Sequence, residues 1–174
     1  MVKDMTVSKA LMWIFIAEIL CILAFIPLVG AVLALIGFIL NLVALYGASK
    51  LEQGYHTALI LTVVGIVLSV LGLFAKGVFG SIVSIVSTVV SLGVLYFVIT
   101  TTCKLLEAKG ANDVAAKGAK VWKINLICAI AAVVLTLLAF VPVLAAILAV
   151  VIAIVEIVAG ILYLIFLYKS YNTL

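Results

Sequence analysis

From Val143 to Phe166 every residue except Glu156 is aliphatic, aromatic or glycine. At about 1.5 Å per residue, a helix over this run crosses a hydrocarbon core of roughly 30 Å. Bounded by charge, Gly or Pro, the apolar runs of the chain are Lys9–Phe25, Val29–Ser49, Thr57–Phe74, Phe79–Thr102, Val121–Phe140 and Val143–Tyr168. In lipid only helices and closed barrels satisfy every backbone N–H and C=O, and the two-residue alternation of a barrel strand is missing here. The expected fold is all-α, a polytopic membrane protein of six transmembrane helices.

Composition agrees. Hydrophobic residues make up 70% and charged ones 9% of 174 residues, against about a quarter charged in soluble domains. The runs leave no room for a separate soluble domain, so the expectation is a single transmembrane domain over 1–174. Ten Lys and no Arg stand against six acids, for a net charge of +4. These lysines are neither clustered nor interleaved with aromatics as a nucleic-acid surface requires, so no nucleic-acid partner is expected. Cys21, Cys103 and Cys128 show no Cys-x-x-Cys spacing, and His56 is alone; neither a metal site nor a disulfide framework is expected. Residues 1–31 begin basic, but Glu18 interrupts their apolar core, so they read as a retained first helix and not as a cleaved signal. Gly-x-Ser-x-Gly, His-Glu-x-x-His, a P-loop and a dinucleotide-binding glycine pattern are absent from the sequence, so no catalytic residue, cofactor or enzymatic activity is expected.

The links set the topology. Short ones at Pro27, Ala75–Val78 and Pro142 alternate with polar ones at Lys50–His56 and along a long loop, Lys104–Lys120. Lys3, Lys9, Lys50, Lys104, Lys109, Lys117, Lys120, Lys123 and Lys169 then fall on the side of the termini, with Lys76 opposite. This bias places both termini in the cytoplasm and the chain in the plasma (inner) membrane. Trp122, Tyr55, Tyr168 and Tyr171 fall at the expected inner interface. The helices pair as three parallel hairpins, at about 8–53, 54–109 and 118–171.

The hairpins share a pattern in their second helices. Gly30, Ala34, Gly37 and Asn41 recur as Gly80, Ser84, Ser87 and Ser91, and again as Ala145, Ala149, Ala153 and Glu156. Spacings of three and four put each set on one helical face. Asn41, Ser91 and Glu156 therefore fall at equivalent depths. The motifs Ala24-Phe25-Ile26-Pro27 and Ala139-Phe140-Val141-Pro142 support the register. First helices carry similar stripes: Ala58, Thr62, Gly65, Ser69, Gly72, and Asn125, Ala129, Ala132, Thr136, Ala139. Such stripes allow close backbone approach between helices in lipid; the other reading is a wet path along the serines. The polar candidates at membrane depth are Glu18, Asn41, Ser91 and Glu156.

A charged Glu at mid-bilayer costs about 2.5–3.5 kcal/mol on the insertion scale. Protonating one of reference pKa about 4.3 at pH 7 costs about 3.7 kcal/mol. The two figures are equal within error, so local partners decide the charge state. Glu18 and Glu156 read equally as hydrogen-bonding helix cross-links and as proton or cation carriers. Lys109, Lys117, Lys120 and Lys123 read as an orientation signal and as contacts to anionic lipid headgroups.

The stretch Phe-Ile-Pro-Leu-Val-Gly-Ala-Val-Leu-Ala-Leu-Ile-Gly-Phe-Ile-Leu-Asn-Leu-Val-Ala-Leu-Tyr, followed by Ser49-Lys50-Leu51, resembles prokaryotic multi-pass membrane families of unknown function. That resemblance implies no activity. Rotary ATPase proteolipids also place a carboxylate in the second helix of a hairpin. Here, however, Asn41 and Ser91 stand where two of the three carboxylates would, and the polar links lie on the wrong side. The sequence therefore leaves two expectations. One is a non-enzymatic scaffold subunit that packs through small-residue faces, in the bilayer, against copies of itself or a larger membrane complex. The other is a small proton- or cation-linked transporter or channel built on Glu18, Asn41 and Glu156. Convergence of those residues on one interior cavity, open to one side, favours the second.

Overall fold

The structure, a computed structural model, describes residues 5–23, 30–75, 77–137 and 142–174; for 135–137 and 142–149 it describes the backbone only. The described residues form α1 (Val7–Leu23), α2 (Gly30–Ser49), α3 (Gln53–Phe74), α4 (Gly77–Ala108), α5 (Asn112–Leu137) and α6 (Pro142–Thr173). Each follows one of the apolar runs. Local chemistry sets several ends. Pro142 opens α6, where its missing N–H is no loss, and Asp113 sits in the first turn of α5, favourable to the helix dipole.

Among the described residues, four helices are long and apolar enough to cross a membrane: α2, α3, α4 and, from Val150 to Thr173, α6. Their outer surfaces match. Phe74 and Val78 are 80% and 78% exposed, an arrangement that water would penalise and hydrocarbon accepts. The chain is a helical membrane protein. Of the remaining two helices, α1 has 17 residues, and α5 carries Lys117, Lys120 and Lys123 in its first half.

The helices close a ring. Each packs on the next in sequence, and α6 packs back on α1, with a lighter touch between α4 and α6. Contact is shared all the way round, within the expected hairpins and between them. One end of the ring is dry and dense. The largest side chains under 2% exposed are Leu11, Ile14, Leu45, Tyr55, Ile99, Thr102, Leu106, Phe166, Leu167 and Ser170. They come from the starts of α1 and α3 and the ends of α2, α4 and α6, so they pile up at the end that carries the chain termini. At roughly 1.5–3 kcal/mol per fully buried large apolar side chain, relative to water, this plug is where most soluble-type packing energy sits.

Polar ties hold the same end. Ser8 Oγ donates to the Tyr171 carbonyl at 2.6 Å, joining α1 to α6. Tyr55 and Thr102 share a buried hydrogen bond of 2.9 Å between α3 and α4. Because Thr102 Oγ1 itself donates to the Val98 carbonyl at 2.7 Å, the tyrosine is the donor. Cys103 Sγ donates to Ala115 O at 3.4 Å, and Lys109 Nζ donates to the Leu174 carbonyl. All described lysines lie at this end, on turns, near helix ends or in the first half of α5.

Two expectations are corrected. The Lys104–Lys120 segment is not a loop: α4 runs on to Ala108 and α5 starts at Asn112. Its Ala- and Lys-rich sequence favours helix. A tight turn suffices because Gly110 takes φ +80 while Ala111 N bonds Leu106 O at 2.8 Å and Gly110 N bonds Glu107 O at 2.9 Å. That pair of bonds is a Schellman cap. Tyr55 is likewise no interface anchor, because it is fully buried with its hydroxyl paired inside the ring. The aromatics Trp122, Tyr168 and Tyr171 are partly accessible and cluster: Trp122 against Tyr96, and the two tyrosines with Phe15. The motifs at Pro27 and at 139–141, together with Lys3 and Lys76, lie outside the described residues.

Candidate functional site

Above the plug the ring does not fill. Two volumes of 570 Å³ each lie inside it, within the roughly 300–1,000 Å³ span of small-molecule sites. The first is walled by α2, α3 and α4, through Phe38, Asn41, Thr62, Gly65, Ser69 and Val90 among others. The second is walled by α4, α5 and α6, through Ser84, Ser87, Asn125, Ala129, Glu156, Gly160 and Tyr163 among others. Glu18 and Ser91 line both. A third volume of 120 Å³ lies beneath, where Glu18, Asn41, Ser91 and Tyr163 meet the plug residues Ile14, Leu45 and Val98.

All four sequence candidates therefore face one interior. Glu18, Asn41 and Ser91 meet at its base, and Glu156 joins Glu18 and Ser91 in the α4–α6 half. The enclosure is uneven. Glu18 and Asn41 are half-buried, whereas Ser91 and Glu156 are exposed to the open volume. Leu73, which lines the first volume, is 79% exposed, so among the described residues that volume reaches the surface near the end of α3.

Small-residue stripes divide into two kinds. On α2, Gly37 is packing: a Cβ there would meet the Ala17 carbonyl oxygen at 2.8 Å. On α6, Gly160 faces open space, with nothing within 4 Å of an added Cβ. The stripes of α3, α4, α5 and α6 supply cavity wall at Thr62, Gly65 and Ser69, at Ser84, Ser87 and Ser91, at Asn125 and Ala129, and at Glu156 and Gly160. Hydroxyls on α3 are tied down, Thr62 to Ala58 O and Ser69 to Gly65 O, both at 2.9 Å. Thr88 does the same to Ser84 O at 3.0 Å. Among the described residues, the side chains of Ser84, Ser87, Ser91, Glu18, Asn41 and Glu156 make no hydrogen bond or ion pair.

This arrangement places two carboxylates, two amides and a run of hydroxyls around two adjoining volumes that share Glu18 and Ser91, all with free acceptor capacity. No lysine lines it among the described residues. Hard-cation coordination by carboxylate, amide and hydroxyl oxygens, or proton exchange at a carboxylate, are the chemistries such a set offers. Among the described residues, no group of three or more His, Cys, Asp or Glu is placed to hold a metal ion. Sequence reasoning did not single out Tyr163, which lies seven residues after Glu156. Two helical turns put it on the same face, and that spacing was readable.

At the plugged end, Lys109, Lys117, Lys120 and Lys123 are exposed, on the α4–α5 turn and the first half of α5. Lys117 lies 3.9 Å from Asp113 on a solvent-exposed helix face, a contact worth little by itself. The four residues do not join the cavity. Comparison with protein-family models, curated proteins and solved structures finds no match for the chain.

Proposed function

We propose that the protein is a small proton- or cation-linked transporter or channel. It would span the plasma (inner) membrane six times, as three parallel hairpins, with both termini and the lysine-rich end in the cytoplasm. It would have no enzymatic chemistry of its own, and Lys109, Lys117, Lys120 and Lys123 would rest against anionic headgroups. The observation that carries this reading is the convergence of Glu18, Asn41, Ser91 and Glu156 on one interior, sealed at the lysine-rich end by the apolar plug. A packing role for these residues would place them at helix contacts, paired with one another; instead they face open volume without partners. An isolated charge at this depth is stabilised by water or a cation, and an open cavity admits both.

Proteoliposomes test it. Wild type should carry a proton, sodium or potassium flux above that of empty vesicles, and Glu18→Gln and Glu156→Gln should each lower it at least tenfold. Background flux for all three ions in wild type overturns the proposal.

One observation favours the scaffold reading. From Val150 to Val158, α6 is exposed at every position except Ile152, which leaves a helical surface that a second copy or a larger complex could cover. That reading expects an oligomer in mild detergent whose assembly is broken by Ile154→Trp. A strict monomer with intact flux removes it.

A further inference from the structure

The carboxylate cavity has an apolar neighbour on the outer surface. Between α4 and α5 runs a groove of 180 Å³ lined by Thr88, Val89, Leu92, Ala129, Ile130, Val133 and Val134. Three of these residues, Thr88, Leu92 and Ala129, also wall the α4–α6 cavity, so the two volumes share a boundary. At its other side the groove reaches the outer surface, where Val89, Ile130 and Val134 are 60%, 57% and 46% exposed. Its one polar side chain is spent, because Thr88 Oγ1 donates to Ser84 O. An apolar slot on the outer surface thus abuts a polar chamber, with Thr88, Leu92 and Ala129 between them.

The two ends ask for opposite chemistry. Inside stand Glu18 and Glu156, unpartnered among the described residues, with Asn125 and the α4 serines and with no lysine. Glu18 is the more buried of the two carboxylates, half-buried where Glu156 is exposed, and it lines the same chamber. This set attracts positive charge. The groove offers only hydrocarbon contact. A small hydrated cation would have no use for it, whereas a molecule with a cationic head and an alkyl tail would use both ends.

From this geometry we infer that the protein binds an amphiphilic cation, its head between Glu18 and Glu156 and its tail in the α4–α5 groove. The inference rests on the transport reading above and deepens it, by naming the substrate class. Entry would be lateral, from the bilayer.

The test is equilibrium binding to the full chain in nanodiscs of zwitterionic lipid, with empty nanodiscs subtracted. The probes are radiolabelled hexyltrimethylammonium, tetramethylammonium and hexanoate. Wild type should bind the hexyl cation at least tenfold more tightly than tetramethylammonium and should not bind hexanoate. Val133→Phe, which fills the groove without lining the polar chamber, should abolish the tenfold advantage and leave tetramethylammonium within twofold. Val89→Phe, on the opposite wall, repeats the measurement should the first variant misfold. Glu18→Gln combined with Glu156→Gln should weaken both cations at least tenfold. Equal binding of the two cations to wild type overturns the inference while leaving a cation site standing. So does equal weakening of both by the groove variants. Binding of hexanoate as tight as that of the hexyl cation overturns it too, since the groove would then take any acyl chain. Binding of neither cation, with background ion flux, removes this inference and the transport reading together.

Discussion

At the scale of single residues, the same sequence pattern performs two jobs. Gly37 belongs to the stripe of α2, and Gly160 continues that of α6 one turn beyond Glu156, both in second helices of the expected hairpins. One allows α1 to approach α2 so closely that a methyl would strike a backbone oxygen; the other borders open volume. Gly37→Ala should therefore destabilise by about 1–3 kcal/mol through overpacking, with a clear drop in melting temperature in detergent. Gly160→Ala should leave stability unchanged or raise it slightly, since Ala is favoured over Gly inside a helix by about 1 kcal/mol. Equal losses in both variants would contradict the division. Nothing in the spacing separates these glycines, because spacing fixes which face a residue occupies and not what stands opposite. Glu18, Asn41, Ser91 and Glu156 were legible one by one, as polar residues at membrane depth. Their meeting was not, since it depends on the closure of α6 onto α1.

Helices and turns followed the hydrophobic runs closely. In lipid the run itself dictates a helix, because no other open structure satisfies its backbone. Reading failed where the chain leaves the apolar region. The Lys104–Lys120 segment looked like a loop for its charge, yet Ala, Lys and Leu are strong helix formers, and the chain needs only Gly110 to reverse direction. With φ at +80 and nothing within 4 Å of an added Cβ, this position is a pure backbone test. Gly110→Ala should cost about 1–2 kcal/mol from left-handed strain alone. Gly110→Asn should cost less, because its short polar side chain tolerates that region. Thermal unfolding of the two variants in one detergent measures the difference. An Ala variant as stable as wild type would show that the α4–α5 turn is not held as described.

The whole molecule is a ring of helices with two unlike ends. Where the termini gather, large side chains interlock and hydrogen bonds tie α1 to α6 and α3 to α4. Toward the other end the walls carry serines, glycines and carboxylates around open space. On the proposed function, stability and transport separate along the axis of the ring: the plug holds the helices, and the open half is free to be polar. With the plugged end in the cytoplasm, as proposed above from the lysine bias, water should reach the interior from the far side alone. Cysteine accessibility measures this directly. With Cys21, Cys103 and Cys128 replaced by alanine, Ser91→Cys should react with a membrane-impermeant thiol reagent added outside and stay unreacted when the reagent is inside. Labelling from the inside, or from neither side, would contradict a water-filled carboxylate cavity closed at the cytoplasmic end.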